Sequence, residues 1–401
     1  MSHTAKPPSL KTAILVNPPS LLQIVERLEY LAGKLPSRIR KAVLRELTPL
    51  KQLFLQQRTP RFLFTGSGRT AAMEIVGALF GQPDFGQTHH IPARLCRWFD
   101  VTFPDRGKVS ILDARAADDS AAVQIRDEIK RQPADIIFFL DNGQNAGPTG
   151  KSDLDNLTGY LTQNEIAEAN SRIIGLVIPP AGEAIPRDQI DRTALRLRSA
   201  LRSNLAGHEF ILEVLKLAPS DGDHALQLPD PEAQRLMSIL ARELPNEARM
   251  EMIRISRNRQ AQHEVAQLLV KSTTAICAAI GAQPIPLADL PVLTSLQIMM
   301  ISGIMYVSGR ERSLRAATEF LGALGANVGA AMLLREGTRA VLKFFPGWGN
   351  VVCGLVAGSG TYAIGRAAIV FFIDGVSLKD ARRTYLAARK KRRHPALPNH
   401  K

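Results

Sequence analysis

The residues best suited to chemistry stand in one short run. "RFLFTGSGRTAAMEIVGALFG", residues 61–81, joins an apolar stretch to a glycine turn and then to a helix-forming stretch that ends in glycine. A turn between strand and helix offers an anion backbone N–H groups and the positive end of the helix dipole. A complete phosphate loop, G-x-x-x-x-G-K-[ST], adds a lysine charge on the phosphates and a hydroxyl on Mg²⁺. Registered on Gly66, the pattern meets Ala71 at the second glycine, Ala72 at the lysine and Met73 at the magnesium ligand. What remains for an anion is Gly66, Ser67, Gly68, Arg69 and Thr70, with Arg69 the nearby charge. A Gly-Ser-Gly between strand and helix also serves as a plain tight turn, and that alternative stays open here.

Other groups carry less. Asp113 and Asp141 end apolar runs, where α/β proteins place ligands and where carboxylates also cap loops. His89 and His90 are adjacent, so a strand points them to opposite faces and a helix sets them about 100° apart; no shared metal is expected. Asp153 and Asp155 in "DLDNL" have no basic or metal-binding companion, and no catalytic residue or metal site is assigned. Arg192, Arg196, Arg198 and Arg202 recur as a solvated helix face would. Cys96, Cys277 and Cys353 are far apart and in apolar surroundings, as buried reduced thiols in a reducing compartment would be.

The positioning elements follow from periodicity. Residues 1–19 are polar and proline-rich and predict a disordered N-terminus; apolar positions at three- and four-residue spacing predict an amphipathic helical segment over 20–60, broken at Pro36 and Pro60. From 61 to 222 the runs "RFLFTG", "RLCRWFDVTF", "KVSILDA", "ADIIFFLDNG", "SRIIGLVIPP" and "EFILEVLKLAP" alternate with helical stretches. That alternation predicts a three-layer α/β domain with a mostly parallel sheet. Residues 232–376 read as an all-α domain with three apolar blocks, "LPVLTSLQIMMISGIMYVSG", "ATEFLGALGANVGAAMLL" and "NVVCGLVAGSGTYAIGRAAIVFFIDG". Each is about long enough to cross a bilayer or to form a buried hairpin. Residues 377–401 form a basic C-terminal tail.

"EIVGALFG" follows the glycine turn where a small GTPase has a sequence like "SLINALLG", and on these residues the chain resembles the Era-like (TRAFAC) GTPase superfamily. "IPLADLPVLTSLQIMMISGIMYVSG", "FFPGWGN" and "TYAIGRAAIVFFIDG" are similar to the YcjF-type helical domain of unknown function appended to such GTPases. The resemblance implies a P-loop-GTPase-like fold for the α/β domain. It puts the D-x-x-G motif at "DARA", where Asp113 is kept and the γ-phosphate-sensing glycine is Ala116. The guanine-reading N-K-x-D falls on "IPPA", Ile178 to Ala181, without its Asn or Asp; the late S-A-x loop corresponds to Ala218–Gly222, and the switch threonine to Thr88. Loss of the lysine, the magnesium hydroxyl and the switch glycine together removes several transition-state contacts, each worth several kcal/mol. The resemblance therefore implies a pseudo-GTPase in which Gly66, Ser67, Gly68, Arg69, Thr70 and Asp113 are relic nucleotide-site positions and no cofactor is expected. The alternative is a residual GTP-binding protein or GTPase with an unconventional site, using GTP and Mg²⁺.

Charge bears on partners. The 401 residues carry 51 Lys and Arg against 37 Asp and Glu, a net +14, with only 5% aromatics. Most of the excess lies in "KDARRTYLAARKKRRHPALPNHK", beside the last apolar block, as on cytoplasmic flanks of membrane segments. The expected partner is an anionic membrane surface or membrane protein at the cytoplasmic face, with an unidentified protein partner and a homo-oligomer as further classes. Nucleic-acid binding through the basic tail is a second alternative, against which the scarce aromatics and the lack of a recognisable module count. The first residues lack an apolar core of signal-peptide length before their prolines, which predicts an intracellular, cytoplasmic protein.

Overall fold

The computed structural model describes residues 26, 29, 30, 33, 37–54, 56–82, 96–104, 106–115, 117–142, 150–167, 169, 171–179, 186–205, 211–219, 226–282, 289–325 and 348–391. The stretch 1–19, expected to be disordered, and the end of the basic tail, 392–401, lie outside these. Two compact units divide the chain: residues 57–261 form one, and residues up to 56 together with those from 262 onward form the other.

In the first unit, β1 (Arg61–Gly66), β2 (Phe99–Phe103), β3 (Gly107–Asp113), β4 (Ile136–Asp141), β5 (Arg172–Val177) and β6 (Ile211–Lys216) form a sheet in the order β2-β3-β1-β4-β5-β6. All neighbours are parallel except the β2–β3 pair. All six residues of β4, "IIFFLD", are buried, as expected of a central strand covered on both faces. Edge strand β2, "FDVTF", alternates buried and open positions and returns antiparallel through a short turn, a connection only an antiparallel pair allows.

Helices cover both faces. On one, α2 (Ala72–Leu79), α6 (Asp230–Glu243) and α7 (Asn246–Ser256) supply Ile75, Leu236 and Met252 to a core with Phe62, Phe64 and Phe138. On the other, α3 (Asp119–Arg131), α4 (Lys151–Ile166) and α5 (Arg187–Asn204) supply Ile125, Leu157 and Leu201 against Leu63, Ile137 and Phe139. The expected three-layer α/β arrangement with a mostly parallel sheet is present. A two-residue antiparallel pair, β7 (Ala218–Pro219) with β8 (Leu226–Gln227), stands outside the main sheet. At the start of β1 and β4, Asp135 accepts from both terminal nitrogens of Arg58, at 2.7 and 2.6 Å, and from the Arg61 N–H at 2.9 Å.

The second unit is helical: α1 (Ser37–Phe54), most of α8 (Arg259–Gly281), α9 (Asp289–Val307), α10 (Leu314–Gly325), α11 (Trp348–Phe372) and α12 (Leu378–Lys391). α1 buries Val43, Leu47 and Leu50 and is tied to α8 by the Ser272 hydroxyl, which donates to Glu46 at 2.8 Å. α11 approaches α8 through small residues. A Cβ at Gly354 would stand 2.8 Å from the Ala278 carbonyl oxygen, and one at Gly358 3.0 Å from the Ala278 methyl. Gln297 of α9 donates to the Thr361 hydroxyl of α11 at 3.0 Å. Of the three blocks read as long enough for a bilayer, only Gly354–Phe372 has both the length and the apolarity among the described residues, and 56% of its apolar window is buried inside the protein. The apolar part of α9 is shorter, Val292–Val307; α10 covers the start of the second block, whose remainder lies outside the described residues.

Full burial pushes the Cys277 thiol up to about 12, with a hydrogen bond to Thr361 opposing the shift. The thiolate is the nucleophile that attacks a disulfide reagent, and at pH 8 this cysteine is both inaccessible and almost wholly protonated. In a Cys96→Ser/Cys353→Ser variant, Cys277 is expected to stay unmodified by a disulfide reagent until denaturant is added. Stoichiometric labelling within minutes in native buffer would show that α8 is not packed as described.

Candidate functional site

β1 crosses the sheet centre with β3 on one side and β4 on the other, and the chain leaving β1 travels toward β3 while that leaving β4 travels toward β5. The carboxyl ends of β1 and β4 are thus a point of topological divergence, where open α/β sheets hold ligands. The loop Ser67–Ala71 and the start of α2 lie at that point.

Gly66 fits because nothing larger can. Its φ is 94°, and a Cβ there would overlap the Leu140 carbonyl oxygen and stand 2.9 Å from the Leu140 nitrogen. The Ser67 N–H then donates to that carbonyl at 2.9 Å, closing the end of β1 onto β4. Gly68 is also left-handed, at 137°. α2 starts at Ala72 with no side-chain cap, and among the described residues no backbone carbonyl accepts from the N–H groups of Gly68 through Met73. This row of donors at a helix start is what could still attract an anion. Arg69 is exposed there, whereas Met73 is 2% exposed in the core beside Ile75 and Val76.

The carboxylate at the site is already taken. Asp113 ends β3, and Arg115 donates to it through Nε at 2.8 Å and through a terminal nitrogen at 2.7 Å. The other terminal nitrogen of Arg115 donates to the Thr70 carbonyl at 2.7 Å, and this guanidinium side chain is only 8% exposed. A paired, charge-assisted fork of this kind has its geometry fixed and its charge neutralised. The structure therefore joins Asp113 to the Thr70 carbonyl through Arg115, a residue that the motif register does not single out. An arginine two positions after a strand-end aspartate was the sole local cue.

Asp141, at the end of β4, is buried; Asp153, at the start of α4, has its carboxyl pushed above the usual range by burial and by the Asp141 charge. Glu74, in the first turn of α2, is raised by burial alone. Asp155 is exposed on α4. Among the described residues no group of three or more His, Cys, Asp or Glu could hold a metal ion. Ile178 is buried, and its N–H donates to the Asp141 carbonyl at 2.9 Å, so this position continues the strand backbone. Along α5, Arg192 and Arg202 are exposed, but Arg198 pairs with Glu213 of β6, so the stripe is solvated only in part. Thr88, His89, His90, Ala116, Ala181 and residues 220–222 lie outside the described residues.

No family model matches the chain, and no curated protein matches it.

Proposed function

We propose that this chain is a non-catalytic scaffold or regulatory protein of the pseudo-GTPase kind. A GTPase-like α/β unit without nucleotide chemistry is joined in it to a helical unit that associates with an anionic membrane surface at the cytoplasmic face. The observation that carries the first half is the Arg115 fork. With Asp113 and the Thr70 carbonyl both bound to one buried guanidinium, the carboxylate that would support Mg²⁺ is neutralised from within. Ala72 and Met73 supply neither the charge nor the hydroxyl that phosphoryl transfer requires. The open N–H row above α2 supports weak anion affinity at most.

Calorimetry on the full chain with GTP, and separately with ATP, both with Mg²⁺, tests this. The expected result is no saturable heat up to about 1 mM nucleotide, which bounds binding at roughly −4 kcal/mol or weaker. Micromolar affinity or phosphate release above the uncatalysed rate would sink the pseudo-GTPase reading and favour an unconventional GTP site.

A further inference from the structure

We propose that the exposed face of α12 is a preformed docking surface for an anionic lipid bilayer, so that the protein attaches peripherally through this helix while α11 stays inside the helical unit. This deepens the membrane half of the proposed function and rests on it.

One side of α12 is committed to the protein: Ala381 and Tyr385, four residues apart, are buried. The arc turned to solvent carries Leu378 at its edge beside Tyr385, and Leu386 near its middle, 39% and 51% exposed, with Lys379 and Arg383 exposed and Arg382 half-buried between them. Positions 378, 379, 382, 383 and 386 fall on one helical face. A helix with large apolar side chains bracketed by cations lies in the headgroup region, its leucines reaching the acyl boundary and its cations meeting anionic headgroups. The start of α12 is set by the protein. The Ser377 hydroxyl accepts from the Asp380 N–H at 3.2 Å and donates to its carboxylate at 2.7 Å, a reciprocal cap at the N-terminus. Asp380 is also the one acid among nine Lys and Arg from residue 378 onward. Charge alone would suit any polyanion; two exposed leucines on the same face favour lipid over nucleic acid. Spanning by α11 is disfavoured, because its small-residue face is filled by α8 and its Thr361 hydroxyl is engaged by Gln297.

The test is co-sedimentation of the full chain with phosphatidylcholine vesicles, with and without phosphatidylserine, at low and high salt, beside a duplex RNA binding assay. Each cation near such a surface is worth about fivefold in partitioning. Lys379→Gln/Arg382→Gln/Arg383→Gln is therefore expected to lose about 100-fold of the phosphatidylserine-dependent binding, and Leu386→Ser about fivefold. Both variants should keep the parental circular dichroism spectrum, since none of the four side chains is buried; the triple variant also loses the Arg383 pair with the capping Asp380, at 3.3 Å, so binding is compared at a temperature where both variants are folded. Parental binding that needs phosphatidylserine, falls with salt and weakens in both variants supports the proposal. If the parent binds but neither variant differs from it, the membrane reading stands and the α12 surface is wrong. If the parent ignores phosphatidylserine vesicles, both fail. Loss of RNA and vesicle binding together in the triple variant, with Leu386→Ser unchanged in both, marks a general polyanion site and overturns the lipid assignment.

Discussion

Gly66→Ala is expected to lower the stability of the α/β unit by about 4 kcal/mol, a loss at the extreme of what single substitutions do. Two costs combine. At φ 94° an L side chain is strained by about 1–3 kcal/mol. The methyl group would also overlap the Leu140 carbonyl, an atom of backbone that cannot rotate away. Relief requires β1 and β4 to part at their carboxyl ends, which also breaks the Ser67 to Leu140 hydrogen bond. The chain has two tryptophans. Trp98 donates its indole N–H to the Gln132 carbonyl and packs with the α/β core, so in a Trp348→Phe background its fluorescence reports this unit. With a urea slope of about 2 kcal/mol/M, the midpoint should fall by about 2 M. A midpoint within about 0.3 M of the parent would contradict the close approach at Gly66.

Asp135→Ala should be the second most damaging change, at about 3 kcal/mol. The carboxylate is 5% exposed and accepts three hydrogen bonds, two from Arg58 and one from the Arg61 backbone. Burial works against the Arg58 charge, but the hydrogen bonds and charge of Asp135 outweigh it and hold the guanidinium above its ordinary value. Removing the carboxylate strands that half-buried charge, and the loss lies at the low end for buried pairs because Arg58 is 28% exposed and keeps the Thr59 carbonyl. The double variant Arg58→Ala/Asp135→Ala should cost less than the two single losses added, since no cation is then left without its partner. Strict additivity in the Trp98 unfolding curves would show that the pair is not coupled.

The α/β framework was legible because each of its six main strands is a short apolar run between turn residues, and burial on both faces leaves β4 no polar position before its last. Strand direction was less so: periodicity gives which face a residue takes, and "FDVTF" alternates whichever way it runs. β7 and β8, at two residues each, are too short to have a period. At the site, the departures of Ala71, Ala72 and Met73 from the phosphate-loop pattern could be counted from one glycine, since that pattern has a fixed length. Arg115 could not, because its meaning depends on the Thr70 carbonyl 45 positions earlier, and a main-chain acceptor leaves no mark on residue type. The apolar blocks were ambiguous for a different reason. A bilayer span and a helix buried among neighbours have the same composition, and only the seating of Gly354 and Gly358 on α8 shows what α11 packs against.

The tie between α1 and α8 bears on the order of events during translation. Val43, Leu47 and Leu50 leave the ribosome early, yet the helix tied to α1 through Ser272 is made only after the whole sheet unit. At roughly 5–20 residues per second that interval lasts about 10–40 s, during which the sheet unit can fold while the apolar stripe of α1 waits uncovered. The apolar stripe of α1 is thus left without α8 until the sheet unit has been made, and the helical unit becomes complete only after the sheet unit inserted within it.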